Sequence, residues 1–274
     1  MRRLALLFLI MLAGCGNSSS TPWLGYAEGE DAFISAPQPG WVTQVAVKRG
    51  DVVHKGDLLF TLDDTQQVAA RDQAKAALAL ADAQLSQAQA LFNYARKEFS
   101  RQRKLYRAHA GTKNALDLAQ SNYDETKARI DQVQAQQRQA AANLENANYL
   151  LSQRRVETKV GGRIEDIYFR QGEYAPASTP VISLLPPQNV FVRFFVPEKD
   201  FSQVKMGQKV RISCDGCAND MTATITFIAQ QEEFTPPVIF SIANRSKLVF
   251  KLEARAPGGL KLNPGQPVDV APAP

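Results

Sequence analysis

Cysteine is scarce in this chain, with three in 274 residues, at positions 15, 214 and 217. That is too few for a small scaffold stapled by disulfides. Histidine is scarcer: His54 and His109 lie far apart in sequence, and neither has a companion constellation for metal binding. No Gly-rich phosphate loop, nucleophile elbow or paired His motif is present. No catalytic residue, no metal site and no cofactor is therefore expected. Charge of one sign is lacking as well: the net +5 is too mild to imply nucleic acid as a partner. The apolar run near the start, LALLFLIMLA, is shorter than the ~20 residues that a membrane-crossing helix needs.

That run belongs to MRRLALLFLIMLAGC, which has an arginine-bearing n-region, an apolar h-region and a small-residue cleavage site. Residues 1–14 read as a secretory signal peptide, and losing Arg2 and Arg3 lowers the net charge from +5 to +3. Leu12-Ala13-Gly14-Cys15 resembles the lipobox of bacterial lipoproteins, which implies lipid attachment, palmitate included, at Cys15. An ordinary signal peptide with a chance cysteine is the alternative. Several acyl chains on one residue hold a membrane more firmly than one, and residues 15–22 then form a Ser-rich tether. In the resembling lipoproteins an aspartate after the cysteine favours inner-membrane retention. Gly16 stands there instead, so the implied location is the periplasm, anchored to the inner membrane or to the outer one.

The stretch GWVTQVAVKRGDVVHKGDLLFTLD, residues 40–63, alternates apolar and polar residues as strands do. A second stretch, GGRIEDIYFRQGEYAPASTPVISLL, residues 161–185, repeats it: Gly162 and Gly172 are spaced as Gly40 and Gly50 are, Ile164, Ile167 and Phe169 match Val42, Val45 and Val47, and Val181, Ile182 and Leu184 match Leu59, Phe60 and Leu62. Each copy is too small to bury a core alone. The two are expected to form one sandwich that resembles a lipoyl carrier domain, over 36–63 and 157–186. A carrier would place a modifiable lysine after the last strand of its first half, but Asp63 and Asp64 stand there, which excludes lipoylation.

Residues 64–156, between the halves, read as a coiled-coil α-hairpin. Ala74, Leu78, Ala81, Leu85, Ala88, Phe92, Ala95 and Phe99 follow steps of four and three, and a second seam runs from Leu116 to Leu151. Asp64 with Gln67 reads as an N-cap and capping box, and Gly111 in AHAGT as the permissive residue of the turn. Antiparallel pairing about Gly111 opposes Phe99 to Tyr123 and Phe92 to Ile130. Polar residues dominate the outward faces, so contacts between neighbouring hairpins are expected to be polar. Arg96, Lys97, Arg101, Arg103, Lys104, Arg107 and Lys113 surround the tip, with Glu98 the only acid among them. They either steer the tip toward an acidic partner surface or form a solvated helix face.

From 187 to 274 the chain alternates again in VFVRFFV, QKVRIS, MTATITFIA and KLVFKLEA, as a small antiparallel β-barrel does; residues 23–35 are expected to add a strand to it. Cys214 and Cys217, across an Asp-Gly turn, are expected to form a disulfide in an oxidising compartment. A redox pair or a zinc site is the alternative; the first normally opens a helix, and the second lacks further ligands. The fold class is thus α+β and elongated.

Together the split lipoyl-like halves, the inserted hairpin, the stretch RGDVVHKGDLLFTLD and the closing LNPGQPVDV resemble the periplasmic adaptor, or membrane fusion protein, family of HlyD-like type. In that family the tip carries an arginine, a leucine four residues on and a serine seven further; RQRKLYRAHAGT has Arg101, Leu105 and Thr112 at those spacings, with threonine for serine. The resemblance implies that these three dock a TolC-like outer-membrane channel. It also implies an inner-membrane transporter as partner, of ATP-driven (ABC) type since the extra membrane-proximal domain of many members is missing, and self-association into a hexameric ring. A coiled-coil scaffold lipoprotein with no transport partner is the competing reading.

Overall fold

The computed structural model describes residues 22–217, 221–234 and 248–273. The expected signal peptide, the lipid site Cys15 and all of the tether but Pro22 lie outside them. Among the described residues no helix is long and apolar enough to cross a membrane.

Alternation in the repeat becomes six strands: β3 (Gly40–Val45), β4 (Val52–Val53) and β5 (Leu58–Leu62) from the first copy, β7 (Gly162–Ile167), β8 (Tyr174–Ala175) and β9 (Pro180–Leu185) from the second. Both copies close their first turn in the same way. Asp51 accepts from the Lys48 N–H at 2.8 Å and Glu173 from the Arg170 N–H at 2.9 Å. Gly50 and Gly172 each sit at φ 88°, where a side chain would be strained. With β2 (Ala32–Ser35) and β6 (Arg155–Glu157), the strands form sheets in the orders β2-β9-β7-β4 and β6-β5-β3-β8. The copies exchange strands: β3 pairs with β5 of its own half and with β8 of the other, Trp41 opposite Tyr174. Val42, Leu59, Phe60, Leu62, Val181 and Ile182 are buried, each contributing on the order of 2 kcal/mol.

The insertion is a pair of helices, α1 (Thr65–Arg107, 43 residues) and α2 (Lys113–Ser152, 40 residues), each about 60 Å long at ~1.5 Å per residue. Ala81, Ala88 and Ala95 are buried at seven-residue steps on α1, and Ala88 packs with Ile130 and Val133 of α2, flanked by Leu85 and Phe92. The Tyr123 ring lies 5.3 Å from Phe92 and 5.5 Å from Phe99, and Gln137 donates across the pair to Asp82 at 2.7 Å. Small residues on one helix against large ones on the other allow this close approach.

Three boundaries differ from expectation. The hairpin ends at Ser152 and not at 156, because Val156 is buried on β6 opposite Phe60. Asp64 makes no side-chain bond at the start of α1; Asp63 does the work instead, its Oδ1 accepting from the Thr65 hydroxyl at 2.6 Å and from the Thr65 N–H at 3.3 Å. The strand expected over 23–35 is two strands. Only β1 (Trp23–Gly29) joins the barrel, since its pairing stops at Gly29 before the polar Glu30 and Asp31, and β2 belongs to the sandwich.

The barrel is closed and antiparallel, in the order β1-β10-β13-β12-β11-β14, with β10 (Val190–Pro197), β11 (Lys209–Ser213), β12 (Met221–Phe234), β13 (Leu248–Arg255) and β14 (Pro267–Pro272). Closure leaves no open strand edge. Phe194, Val192, Ile212, Ile225, Leu252 and Val270 fill it, and Trp23 stacks on Phe194 at 5.9 Å. The described residues divide into two compact units: one combines those up to Ala32 with Val160–Glu165 and those from Ser183 onward, and the other is Phe33–Lys159 with Asp166–Ile182.

Candidate functional site at the hairpin tip

The turn between α1 and α2 is closed by backbone bonds. Ala110 N–H donates to the Leu105 carbonyl at 2.9 Å and His109 N–H to that of Tyr106 at 3.0 Å. This is a Schellman ending, in which the residue after the cap adopts the left-handed conformation. That residue is His109, at φ 58°, and not Gly111 as expected. Histidine is among the few side chains enriched there. Gly111 matters for space: a Cβ on it would lie 3.2 Å from Leu105 Cβ and 3.3 Å from the Tyr106 nitrogen. Thr112 starts α2 as its N-cap, extended at φ −89° and ψ 151°, with its hydroxyl oxygen accepting from the Ala115 N–H at 3.2 Å.

Arg101 and Leu105 lie one helical turn apart on α1, and the turn folds the residue before Thr112 onto Leu105. Glu98 grips Arg101 in a fork: Nε donates to Oε2 at 3.0 Å and Nη2 to Oε1 at 2.8 Å. Gln102 adds a bond to the same Oε1 at 2.8 Å. The Arg101 bond first, and that of Gln102 second, hold the Glu98 carboxyl below its usual range, while Glu98 raises the Arg101 guanidinium. Leu105 and Tyr106 remain 37% and 41% exposed, so the tip offers apolar surface inside a cationic collar. Arg96, Lys97, Arg101, Arg103, Lys104, Arg107 and Lys113 are all exposed; Arg96 stands over the Phe92 ring at 5.9 Å and Arg103 over Phe99 at 5.6 Å.

The outward faces are less polar than expected. Leu91, Tyr94 and Leu118 are 54%, 71% and 62% exposed, and Leu91 and Tyr94 border a groove that runs across to Ala119 and Asn122 of α2. These residues sit off the seam, which is why a reading of the seam passes over them. The Glu98–Arg101 fork was also missed, although its three-residue spacing is visible in the sequence. Cys214 and Cys217 belong to the barrel unit; their sulfurs are bonded to each other, and Gln266 Nε2 donates to the Cys214 sulfur at 3.3 Å. Among the described residues no group of three or more His, Cys, Asp or Glu side chains is placed to hold a metal.

No family model matches the chain. It is similar to the multidrug export protein EmrA of Escherichia coli, 26% identical over 240 residues that cover 73% of this chain and 61% of EmrA. Against two further curated relatives the match spans 63% and 39% of their length. Among solved structures, MacA from Actinobacillus actinomycetemcomitans has the same fold, with a TM-score of 0.70 at 23% identity over 91% of this chain and 76% of that one. The membrane fusion protein Spr0693 of Streptococcus pneumoniae also shares it, with a TM-score of 0.58 at 16% identity over 93% and 99%. In sequence and in fold, this chain is similar to membrane fusion proteins of export systems, the family that its split halves and inserted hairpin resemble.

Proposed function

We propose that this adaptor, which is not an enzyme, couples an inner-membrane exporter to a TolC-like outer-membrane channel, and that the hairpin tip is its channel-docking surface. The observation that carries this reading is the tip itself: an exposed Leu105 within a collar of cations, backed by Gly111 and beside an Arg101 pre-oriented by Glu98. A small apolar anchor ringed by polar groups is the pattern of an interface hot spot, and the collar favours an acidic partner surface. The Thr112 hydroxyl oxygen accepts from its own helix, which leaves its O–H to donate to a partner. Leu91, Tyr94 and Leu118 give neighbouring hairpins apolar surface for self-association into a ring. A lipid on Cys15 would hold the chain at a membrane of the periplasm.

Leu105→Asp tests the docking role. Desolvating a carboxylate in the interface should weaken channel binding by at least roughly tenfold and abolish export, with helix circular dichroism unchanged. Full export by that variant would remove Leu105 from the docking surface.

A further inference from the structure

A buried charge sits where the hairpin returns to the sandwich. Arg154, just beyond the end of α2, is 9% exposed, and arginine is rarely buried without partners. Its Nη1 donates to the Pro39 carbonyl at 2.9 Å and its Nη2 to Gln38 Oε1 at 3.4 Å, both far back in the chain on the approach to β3. The main chain of the same residue is engaged too: its N–H donates to the Leu151 carbonyl at 3.0 Å, and its carbonyl accepts from the Leu62 N–H at 2.8 Å. One residue therefore ties the last turn of α2, the strand that feeds α1, and the loop before β3. On the outgoing side Asp63 N–H donates to the Trp41 carbonyl at 2.8 Å, so both legs of the hairpin are fastened to the same corner of the sandwich.

Gly40 supplies the room. A Cβ there would lie 2.7 Å from Nη1 of Arg154, whereas the next atom, Leu62 Cβ, is 3.5 Å away. The φ of Gly40 lies outside the left-handed region, so no backbone strain calls for glycine. An apolar side chain at 154 would fill a buried site with less desolvation, which makes the directed bonds of the guanidinium the informative feature.

We propose that Arg154 is a positioning residue: seated in the space left by Gly40 and bonded to Pro39 and Gln38, its guanidinium fixes the direction in which the hairpin leaves the sandwich. The lever is long. With helices of about 60 Å, a root tilt of ~10° displaces the tip by ~10 Å. The functional consequence of that displacement rests on the docking reading above, while the geometric claim stands apart from it.

The test is pulsed electron paramagnetic resonance on the full chain, diluted with unlabelled chain, with nitroxides on keto-bearing residues at positions 52 and 80, both exposed. The native chain should give one narrow distance distribution. Arg154→Ala and Gly40→Ala should each broaden it, Arg154→Lys should broaden it less, and the Gly40→Ala/Arg154→Ala double variant should be no broader than Arg154→Ala alone, because both changes empty the same seat. Distributions that superimpose on the native one in Arg154→Ala and Gly40→Ala would overturn the inference, as would additive broadening in the double variant. Should Arg154→Ala not fold, Gly40→Ala and Arg154→Lys decide by the same readout. Broadening with undiminished channel binding would support the seat and count against the docking reading.

Discussion

Thr112 caps its own helix with the hydroxyl that the docking proposal also uses. Its oxygen caps α2, so Thr112→Ala should lower hairpin stability by about 1 kcal/mol while Thr112→Ser keeps the cap; denaturant melts followed by circular dichroism separate the two. His109 holds a left-handed backbone that glycine adopts without steric cost. His109→Gly is therefore predicted to raise stability by ~0.5–1 kcal/mol, and a loss in the same melt would contradict the Schellman assignment. Glu98 brings a pH dependence. Its carboxyl is held below the usual range chiefly by Arg101, so its contribution is present above the ordinary carboxylate pKa and disappears as pH falls through the lowered value. Acid titration should loosen the tip of the native chain, and Glu98→Gln should remove that part of the response. Side-chain positions such as these were partly legible: Thr112 announces itself as a cap by standing before a new seam. His109 does not, because the left-handed residue is chosen by where the α1 ladder stops, and neighbouring residues in AHAGT compete for that place.

At the scale of elements, periodicity carried most of the information. The seam through Ala88, Phe92 and Ile130 was visible because buried positions recur at helical spacing, and the barrel strands because theirs alternate. Ile130→Ala should destabilise the hairpin by roughly 2 kcal/mol, since Ile130 packs in the centre of the small cluster with Ala88 and Val133. Phe92→Asp should lower the melting temperature further by placing a charge between Tyr123 and Ile130; an unchanged melt would mean a different register. Element ends were less legible. Asp63 and Asp64 are adjacent carboxylates, and only the geometry of the first turn decides that Asp63 binds Thr65. Strand β2 follows β1 after Glu30 and Asp31 alone, and those two polar residues do not tell a turn within one sheet from a change of sheet. Exposed residues off the seam, Leu91 and Tyr94 among them, do not recur at the spacing of the buried stripe.

For the whole molecule, the repeat explains why the chain is arranged as it is. Two copies of one strand motif exchange strands to close a sandwich, the place of a carrier lysine is given to a long hairpin, and the hairpin carries the proposed docking tip far from its root. Arg154 joins the two levels, because a buried guanidinium at the root governs a surface at the other end of the helices. The proposed partner of this tip is an outer-membrane channel. Their docking is tested most directly by photocrosslinking in cells from a reactive residue placed at 105, followed by mass identification of what is captured. Capture of an outer-membrane channel is the predicted result; capture of this protein alone, or of nothing while the chain is folded and exported, would contradict the account and favour a scaffold without a transport partner.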